Sequence, residues 1–549
     1  MSKLITANVN YGFYLTIVIL ASLFFKLYTV DFSLPVNSDN LSYTLHAISI
    51  SHGNFAQNPQ RGAGWPLFAS IFLTPVSSDN LVDYSVIIRG LTLGISSFTI
   101  IAVYLLGTKF FNKKYAFIMA CLFAFEPHLN FQSSLGLSEP LFHLVMISGF
   151  YFLLSNKNKF FFVSFLLAGL TWWIRLNGFM VFIAFSLIYL INFRKSSNYL
   201  RNYGVCVAIF LLVMSPMLIQ RYEQFGNPVY VWYADKIFAG TYLASLSENA
   251  ENQNGGAVGY IEKNGINAFV QNFIIKGMHN ILLTVAKLTF PYLFVLVIPG
   301  MILSFKKHDE NKRELIRANW IMILITISVL IIPFAVVAEK RFVYYLLPFL
   351  IIFAVISINR VVGYGIKKWS LTSSRANVFL IIFISVVVLS SGFYVSKYGK
   401  PDSILENEKI KFANYVFENL NGKMLNDPSP VFEYFNYVKV NKLHVIKNIG
   451  ITNKQDSDTF LNSIDNNVSR LYVNGTTLHE VISNGEKYEL KYIVSSDQNV
   501  FYPFLDNVYA NERNFPYLIK IFDSTASGFS KLKVKVFEID YQQFYSKND

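Results

Sequence analysis

The sequence predicts a polytopic α-helical membrane protein followed by a small water-soluble α/β domain, and three observations predict it. The 549-residue chain is 53% hydrophobic and only 15% charged, where soluble domains carry about 25% charged residues. The shortage of charge is confined to the stretch before about residue 396, and the remainder has ordinary globular composition. Lysines and arginines gather in alternate gaps between the apolar runs, as they do in cytoplasmic loops. The division that follows is 1–395 for the membrane part and 396–549 for the soluble part.

A spanning helix needs about 20 largely apolar residues. Such runs occupy 11–29, 81–106, 115–129, 138–154, 160–172, 178–191, 203–219, 281–303, 318–337, 342–356 and 377–394. They predict about eleven spans, with two short pairs open to a re-entrant reading. If the spans alternate, one side collects Lys109, Lys113 and Lys114, then Lys157 and Lys159, then Arg194, Lys195 and Arg201. The same side holds Lys306, Lys307, Lys312, Arg313 and Arg317, then Arg360, Lys367 and Lys368, with Lys3 beside them. That side is cytoplasmic by the positive-inside rule. An odd number of spans in a cell membrane then leaves the N-terminus in the cytoplasm and the C-terminal domain outside. No small-residue cleavage site follows the first run (Leu27-Tyr28-Thr29-Val30), so it reads as a retained anchor.

The formal charge of +13 is explained by those loops. No basic run is interleaved with base-stacking aromatics, so nucleic acid is not an expected partner. Cys121 and Cys206 both fall in apolar stretches; they suit neither a metal site nor a disulfide.

With this topology the outer loops hold nearly all the unusual polar residues near the membrane. The first carries Pro35-Val36-Asn37-Ser38-Asp39-Asn40 and Arg61-Gly62-Ala63-Gly64. The next two carry Glu126-Pro127-His128 with Ser138-Glu139-Pro140-Leu141-Phe142, and Arg175-Leu176-Asn177-Gly178. A fourth opens near Arg221 and holds Tyr230, Trp232, Tyr233 and Tyr242; the fifth is Glu339-Lys340-Arg341. Ionisable groups at the hydrocarbon edge are costly unless paired or hydrated, which makes them functional candidates. Each also has a plain reading. Asp39 could be solvated, Glu139 could cap its helix, and Arg175 and Arg341 could snorkel. For His128 beside Pro127 the structural reading is the stronger one, and the loop aromatics fit an interfacial belt. Convergence of five loops on one face favours a site.

In the soluble part, 407–420 is amphipathic at helical spacing, with Ile410, Ala413, Val416, Phe417 and Leu420 on one face. Residues 532–539 alternate as a strand does, and 470–473 and 490–494 are further strands. No nucleophile elbow, phosphate loop or metal spacing occurs there, so acceptor recognition or a structural role is expected.

An acid shortly after the first helix, Ser-Glu-Pro-Leu-Phe at a later helix start, an Arg-x-x-Gly turn and a late Arg-Phe before a Pro-containing helix recur together. This layout resembles the GT-C superfamily of membrane glycosyltransferases, closest to the protein mannosyltransferase-like and aminoarabinose transferase-like family. The resemblance implies a polyprenyl phosphate or diphosphate bearing a sugar, which passes on the outer face to a glycan, lipid or protein acceptor. Asp39 matches the first-loop acid and Glu139 the acid at the later helix start, while Arg175 and Arg341 stand where basic residues are common. Many relatives pair two acids in the first loop, whereas Asp39 lies between Ser38 and Asn40; a divalent metal is left open without a paired-acid motif, and no metal ligand is assigned.

In such a reaction a carboxylate takes the proton of the acceptor hydroxyl, and Asp39 is the candidate, with Glu139 orienting a partner. The leaving phosphate needs cations, ideally guanidinium. Arg341 is the first choice, then Arg175, Lys340, Arg221 and Arg61; Glu126 and His128 are in reserve. The loop aromatics could also form a lid over the carrier. The competing classes are a lipid-linked glycan transporter or flippase, and a non-catalytic protein that binds glycan-lipid. A transporter would place polar breaks at the midplane within inverted repeats, and neither is evident.

Overall fold

The computed structural model describes residues 10–546 apart from 156, 196–197, 235, 248–255, 290–291, 307–308, 369, 371, 428–429 and 450–467. Lys3 and Lys307 of the charge pattern lie outside the described residues. Helix α1 (Tyr11–Tyr28) begins where the Asn10 side chain accepts the Phe13 N–H, which satisfies an otherwise orphaned donor. It is followed by α2 (Ser38–Ser51), α3 (Gly64–Leu73) and the long α4 (Leu81–Phe110). Next come α5 (Lys113–Ala124), α6 (Pro127–Ser133), α7 (Glu139–Leu153), α8 (Asn158–Ile174), α9 (Phe179–Asn192) and α10 (Tyr199–Phe225). Short helices α11 (Tyr242–Leu246), α12 (Gly256–Asn264) and α13 (Ile266–Phe269) lead into α14 (Lys276–Thr289) and α15 (Tyr292–Ser304). The apolar series ends with α16 (Glu310–Val336), α17 (Leu347–Lys368) and α18 (Ser373–Tyr398).

Among the described residues, six helices are long and apolar enough to cross a membrane: Tyr11–Tyr28, Leu81–Phe110, Tyr199–Phe225, Glu310–Val336, Lys340–Lys368 and Ser374–Asn419. Ile266–Thr289 and Leu293–Ser304, bent by 117°, make a seventh if counted as one broken span. Shorter apolar helices cover Gly64–Leu73, Glu139–Leu153, Asn158–Ile174 and Leu176–Asn192. The chain is therefore a multi-pass membrane protein, but helix length alone does not reproduce the count of about eleven.

Three differences from the expected pattern stand out. The run 115–129 ends at Ala124, because Pro127 has no N–H to continue a helix and Glu126 instead caps α6, accepting the Leu129 N–H at 2.7 Å. The run 281–303 divides between α14 and α15. The stretch 30–80, read as a loop, contains two helices. Eleven of the fourteen residues of α2 are buried, polar ones included. Its polar groups find partners close by: Thr44 donates to the Asn40 carbonyl at 2.8 Å, and the His46 Nε2 lies 2.9 Å from the Ala56 carbonyl. Buried polar groups persist only when partnered in this way.

The C-terminal part starts with α19 (Ser403–Asn419) and carries strands β1 (Gly422–Leu425), β2 (Val468–Leu471), β3 (Leu490–Ser496), β4 (Leu518–Asp523) and β5 (Val534–Ile539), with α20 (Phe435–Lys442) after β1. The sheet order is β2-β1-β3-β5-β4, parallel at β2/β1 and β1/β3, antiparallel at β3/β5 and β5/β4. Alternation in β5 sorts its side chains: Val534 and Val536 pack with Phe412 and Val416 of α19, while Phe537 and Ile539 pack with Val481 and Ile482 on the other face. Strands β1 and β4 are additions to the expected set. This part meets the membrane helices through α20 against α2 and a Lys447–Asp79 ion pair at 2.7 Å. A ring contact between Tyr242 and Phe501 at 5.6 Å joins it to the fourth loop.

Candidate active site

Asp39 sits in the first turn of α2, and two guanidiniums from distant parts of the chain grip it. Arg61, from the turn before α3, donates to its Oδ1 at 2.7 Å, and Arg341, from the 3-10 turn Lys340–Leu346, approaches its Oδ2 at 2.6 Å. About a third of the Asp39 side chain, 34%, remains exposed. Arg341 also binds Glu339 at 2.5 Å, and Arg61 donates to Ser42 and lies over the Tyr43 ring. Burial opposes ionisation of Asp39, but the Arg61 and Arg341 guanidiniums outweigh it and hold the carboxyl well below the usual carboxylate range.

Glu139 begins α7 and is fully buried. Arg175 Nη1 lies 2.8 Å from its Oε1 and 3.0 Å from the Ser138 hydroxyl. Neither Glu139 oxygen has a well-aligned hydrogen bond, so this contact is an ion pair by distance rather than by direction. The Arg175 guanidinium stands over the rings of Phe342 and Tyr345, next along the chain from Arg341. The charges of Asp39, Glu139 and Glu339 all act on Arg341. Three acids and three arginines thus share one neighbourhood, in which Asp39 is partly exposed and Glu139 is buried.

Two glycines make this possible. A Cβ on Gly62 would lie 2.5 Å from the Trp173 carbonyl oxygen, and one on Gly64 would lie 2.7 Å from the Ile174 nitrogen. The turn bearing Arg61 therefore lies directly against the turn bearing Arg175. Gly62→Ala is expected to destabilise the fold by about 1–3 kcal/mol through overpacking. Gly90→Ala, inside α4 where nothing lies within 4 Å, should be neutral or stabilising by up to about 1 kcal/mol; thermal unfolding midpoints of the two variants check the contrast.

The remaining candidates stand elsewhere. Arg221 is buried, and its guanidinium is occupied by main-chain carbonyls of Asn58, at 3.1 Å, and Tyr230, over the Phe225 ring; it ties the first loop to the fourth. Lys340 is exposed beside the cluster. Glu126 caps α6 and holds His128 Nδ1 at 2.9 Å, with His128 Nε2 at 3.4 Å from the Tyr394 hydroxyl of α18. This is a separate polar contact between helices. In the fourth loop, burial, the Tyr472 hydroxyl and the charges of Asp39 and Glu339 push the Tyr242 hydroxyl up to about 12. Trp232 lies under Lys236, 3.9 Å from the ring centre.

Among the described residues no three His, Cys, Asp or Glu side chains gather as metal ligands do. The Asp39 oxygens face guanidiniums, which repel a divalent cation, so these residues do not fit one. Sequence reasoning missed Arg89, which hydrogen-bonds the segment leading into Asp39. The signal was available: a charge within the apolar run 81–106.

No family model and no curated protein matches the sequence. The fold is nevertheless similar to that of solved membrane oligosaccharyltransferases. The chain superposes on the apo crystal structure of the oligosaccharyltransferase of Archaeoglobus fulgidus with a TM-score of 0.54 and 13% identity, over 89% of this chain and 70% of that one. The oligosaccharyltransferase AglB from Archaeoglobus fulgidus, in complex with an inhibitory peptide and a dolichol-phosphate, gives 0.55 at 12% identity, over 88% and 69%. ArnT from Cupriavidus metallidurans bound to undecaprenyl phosphate covers 97% of this chain and 98% of its own at 10% identity, but its TM-score of 0.47 is too low to support the fold. At such identities the likeness is one of fold alone.

Proposed function

We propose that this protein is a glycosyltransferase that moves a sugar from a polyprenyl-phosphate-type carrier to an acceptor on the outer face of a membrane. One observation carries the reading: Asp39, partly open to solvent, lies between Arg61 and Arg341, with Arg175 next to them. Support comes from the fold shared with an oligosaccharyltransferase solved in complex with an inhibitory peptide and a dolichol-phosphate. In this reading eleven crossings are made by α1, α4, α5, α7, α8, α9, α10, the α14–α15 pair, α16, α17 and α18. The N-terminus is cytoplasmic, and the soluble part, from about residue 396, is outside.

The chemistry follows from the charges. A phosphate entering the cluster competes with Asp39 for the Arg341 fork, which suits phosphate oxygens as well as carboxylate. As Arg341 turns to the phosphate, Asp39 loses one of its two cations and regains basicity. It then accepts the acceptor hydroxyl proton while the acceptor oxygen bonds to the sugar C1. The bond from C1 to the carrier phosphate oxygen breaks, and its electron pair leaves on the phosphate, neutralised by Arg341 and Arg61 with Arg175 beside them. Glu139 is fully buried and acts through Arg175, holding it in place rather than touching substrate. Arg221 is structural in this scheme, and Lys340 assists at the rim.

The test is to incubate the purified protein with a panel of polyprenyl-linked sugars and with lipid, glycan and peptide acceptors, reading products by mass spectrometry. Carrier binding without transfer from any donor would make it a glycan-lipid binding protein instead. Arg341→Gln should weaken binding of a short-chain polyprenyl phosphate by about tenfold or more, and Arg341→Lys by less, because a point charge cannot replace the fork. Titration of the carrier against each variant measures this.

A further inference from the structure

The residue immediately before Asp39 is in an unusual conformation. Ser38 has φ of 46°, in the left-handed region that side-chain-bearing residues seldom occupy. A turn of this kind persists only when its surroundings hold it from both sides. On the far side, Arg61 and Arg341 hold the Asp39 carboxylate. On the near side the hold comes from α4. Arg89 Nη1 donates to the carbonyls of Asp31 at 2.7 Å and Leu34 at 2.6 Å, and its Nη2 donates to that of Pro35 at 3.2 Å. One helical turn earlier, the Ser85 hydroxyl accepts the Val36 N–H at 3.0 Å. Val36 is fully buried beneath this clamp.

We propose that Arg89 is a positioning residue: it clamps residues 31–36 so that the strained turn at Ser38 presents Asp39 to the cluster. Arg89 touches no reacting atom. Its guanidinium is directed at main-chain carbonyls, and those carbonyls belong to the segment entering Asp39. A purely structural arginine would stabilise the protein without any dependence on the conformation of Ser38. A positioning arginine is coupled to it. Glycine at 38 adopts the left-handed turn without strain, so a clamp matters less in its presence.

The activity arm of the test rests on the glycosyl-transfer reading; the labelling arm does not. Wild type, Arg89→Gln, Ser38→Gly and the double variant are prepared as full chains, each also carrying Val36→Cys for the labelling arm. The native Cys121 and Cys206 are buried and serve as internal controls against a thiol reagent. Arg89→Gln is expected to speed labelling at position 36 by about tenfold or more, as a clamped segment becomes free to open locally. Turnover should fall about tenfold with little change in donor KM, since the phosphate-binding arginines are untouched. In the Ser38→Gly background both effects of Arg89→Gln should shrink. Equal effects in the two backgrounds, unchanged labelling at position 36, or new labelling of Cys121 or Cys206 would overturn the proposal and leave Arg89 a general stabiliser. A wild type that transfers no sugar would sink the functional reading, and labelling would still judge Arg89.

Discussion

Asp39→Asn is expected to lower sugar transfer by at least about a thousandfold while carrier binding stays within about threefold. An amide is nearly the same shape as the carboxylate and can still accept a hydrogen bond from Arg61 or Arg341, but it cannot take a proton from an acceptor hydroxyl. The loss should therefore appear in turnover rather than in donor affinity, and removing a competitor for Arg341 could even tighten carrier binding. The same variant tests the electrostatics of the resting site. The folded-state pKa of Asp39 is depressed by Arg61 and Arg341. Its ionised form thus contributes stability that is fully present above the unfolded-state value, near 4, and is lost as pH falls through the lower folded value. Wild type should be the more stable protein at neutral pH, and its margin over Asp39→Asn should shrink as the pH drops below about 4. Thermal unfolding at several pH values reads this out. Normal turnover by Asp39→Asn would remove the base from the mechanism.

How much of this was legible in the sequence depended on the range of each interaction. The apolar runs gave most of the long helices, because lipid selects for uninterrupted hydrophobicity over a fixed length. The alternation of Val534 and Val536 against Lys533 and Lys535 gave β5. Helix α2 was not legible: its polar residues are buried against partners such as Ala56, which lies beyond its own end, so the usual amphipathic signature is missing. The candidates Asp39, Arg61, Arg175, Glu139 and Arg341 do come together. Their roles were harder to read, since Glu139 is separated from solvent by packing that only the folded chain reveals. Arg221 looked equally exposed to function, yet its acceptors are main-chain carbonyls of Asn58 and Tyr230. Carbonyls leave no trace in the identity of a residue. The same holds for the Arg89 contacts, although a lone arginine inside an apolar run was a visible flag.

Arg175→Met should be the most destabilising single change in the cluster, by about 3–5 kcal/mol, because it leaves the Glu139 carboxylate buried without its cation. Glu139 is 0% exposed, and its oxygens have no well-aligned hydrogen bond to fall back on. The reverse change is gentler. In Glu139→Gln the arginine keeps the Ser138 hydroxyl and the Phe342 and Tyr345 rings, with 12% of its side chain open to solvent. Removing both charges, Glu139→Gln with Arg175→Met, should recover most of the stability lost in Arg175→Met, since no charge is then stranded. Transfer should not recover with it, because a cation beside the departing phosphate is still missing. Unfolding midpoints and transfer rates of the three variants separate these effects. A double variant that regains both stability and transfer would make Arg175 a partner for Glu139 and nothing more, and the phosphate would then rest on Arg341 and Arg61 alone.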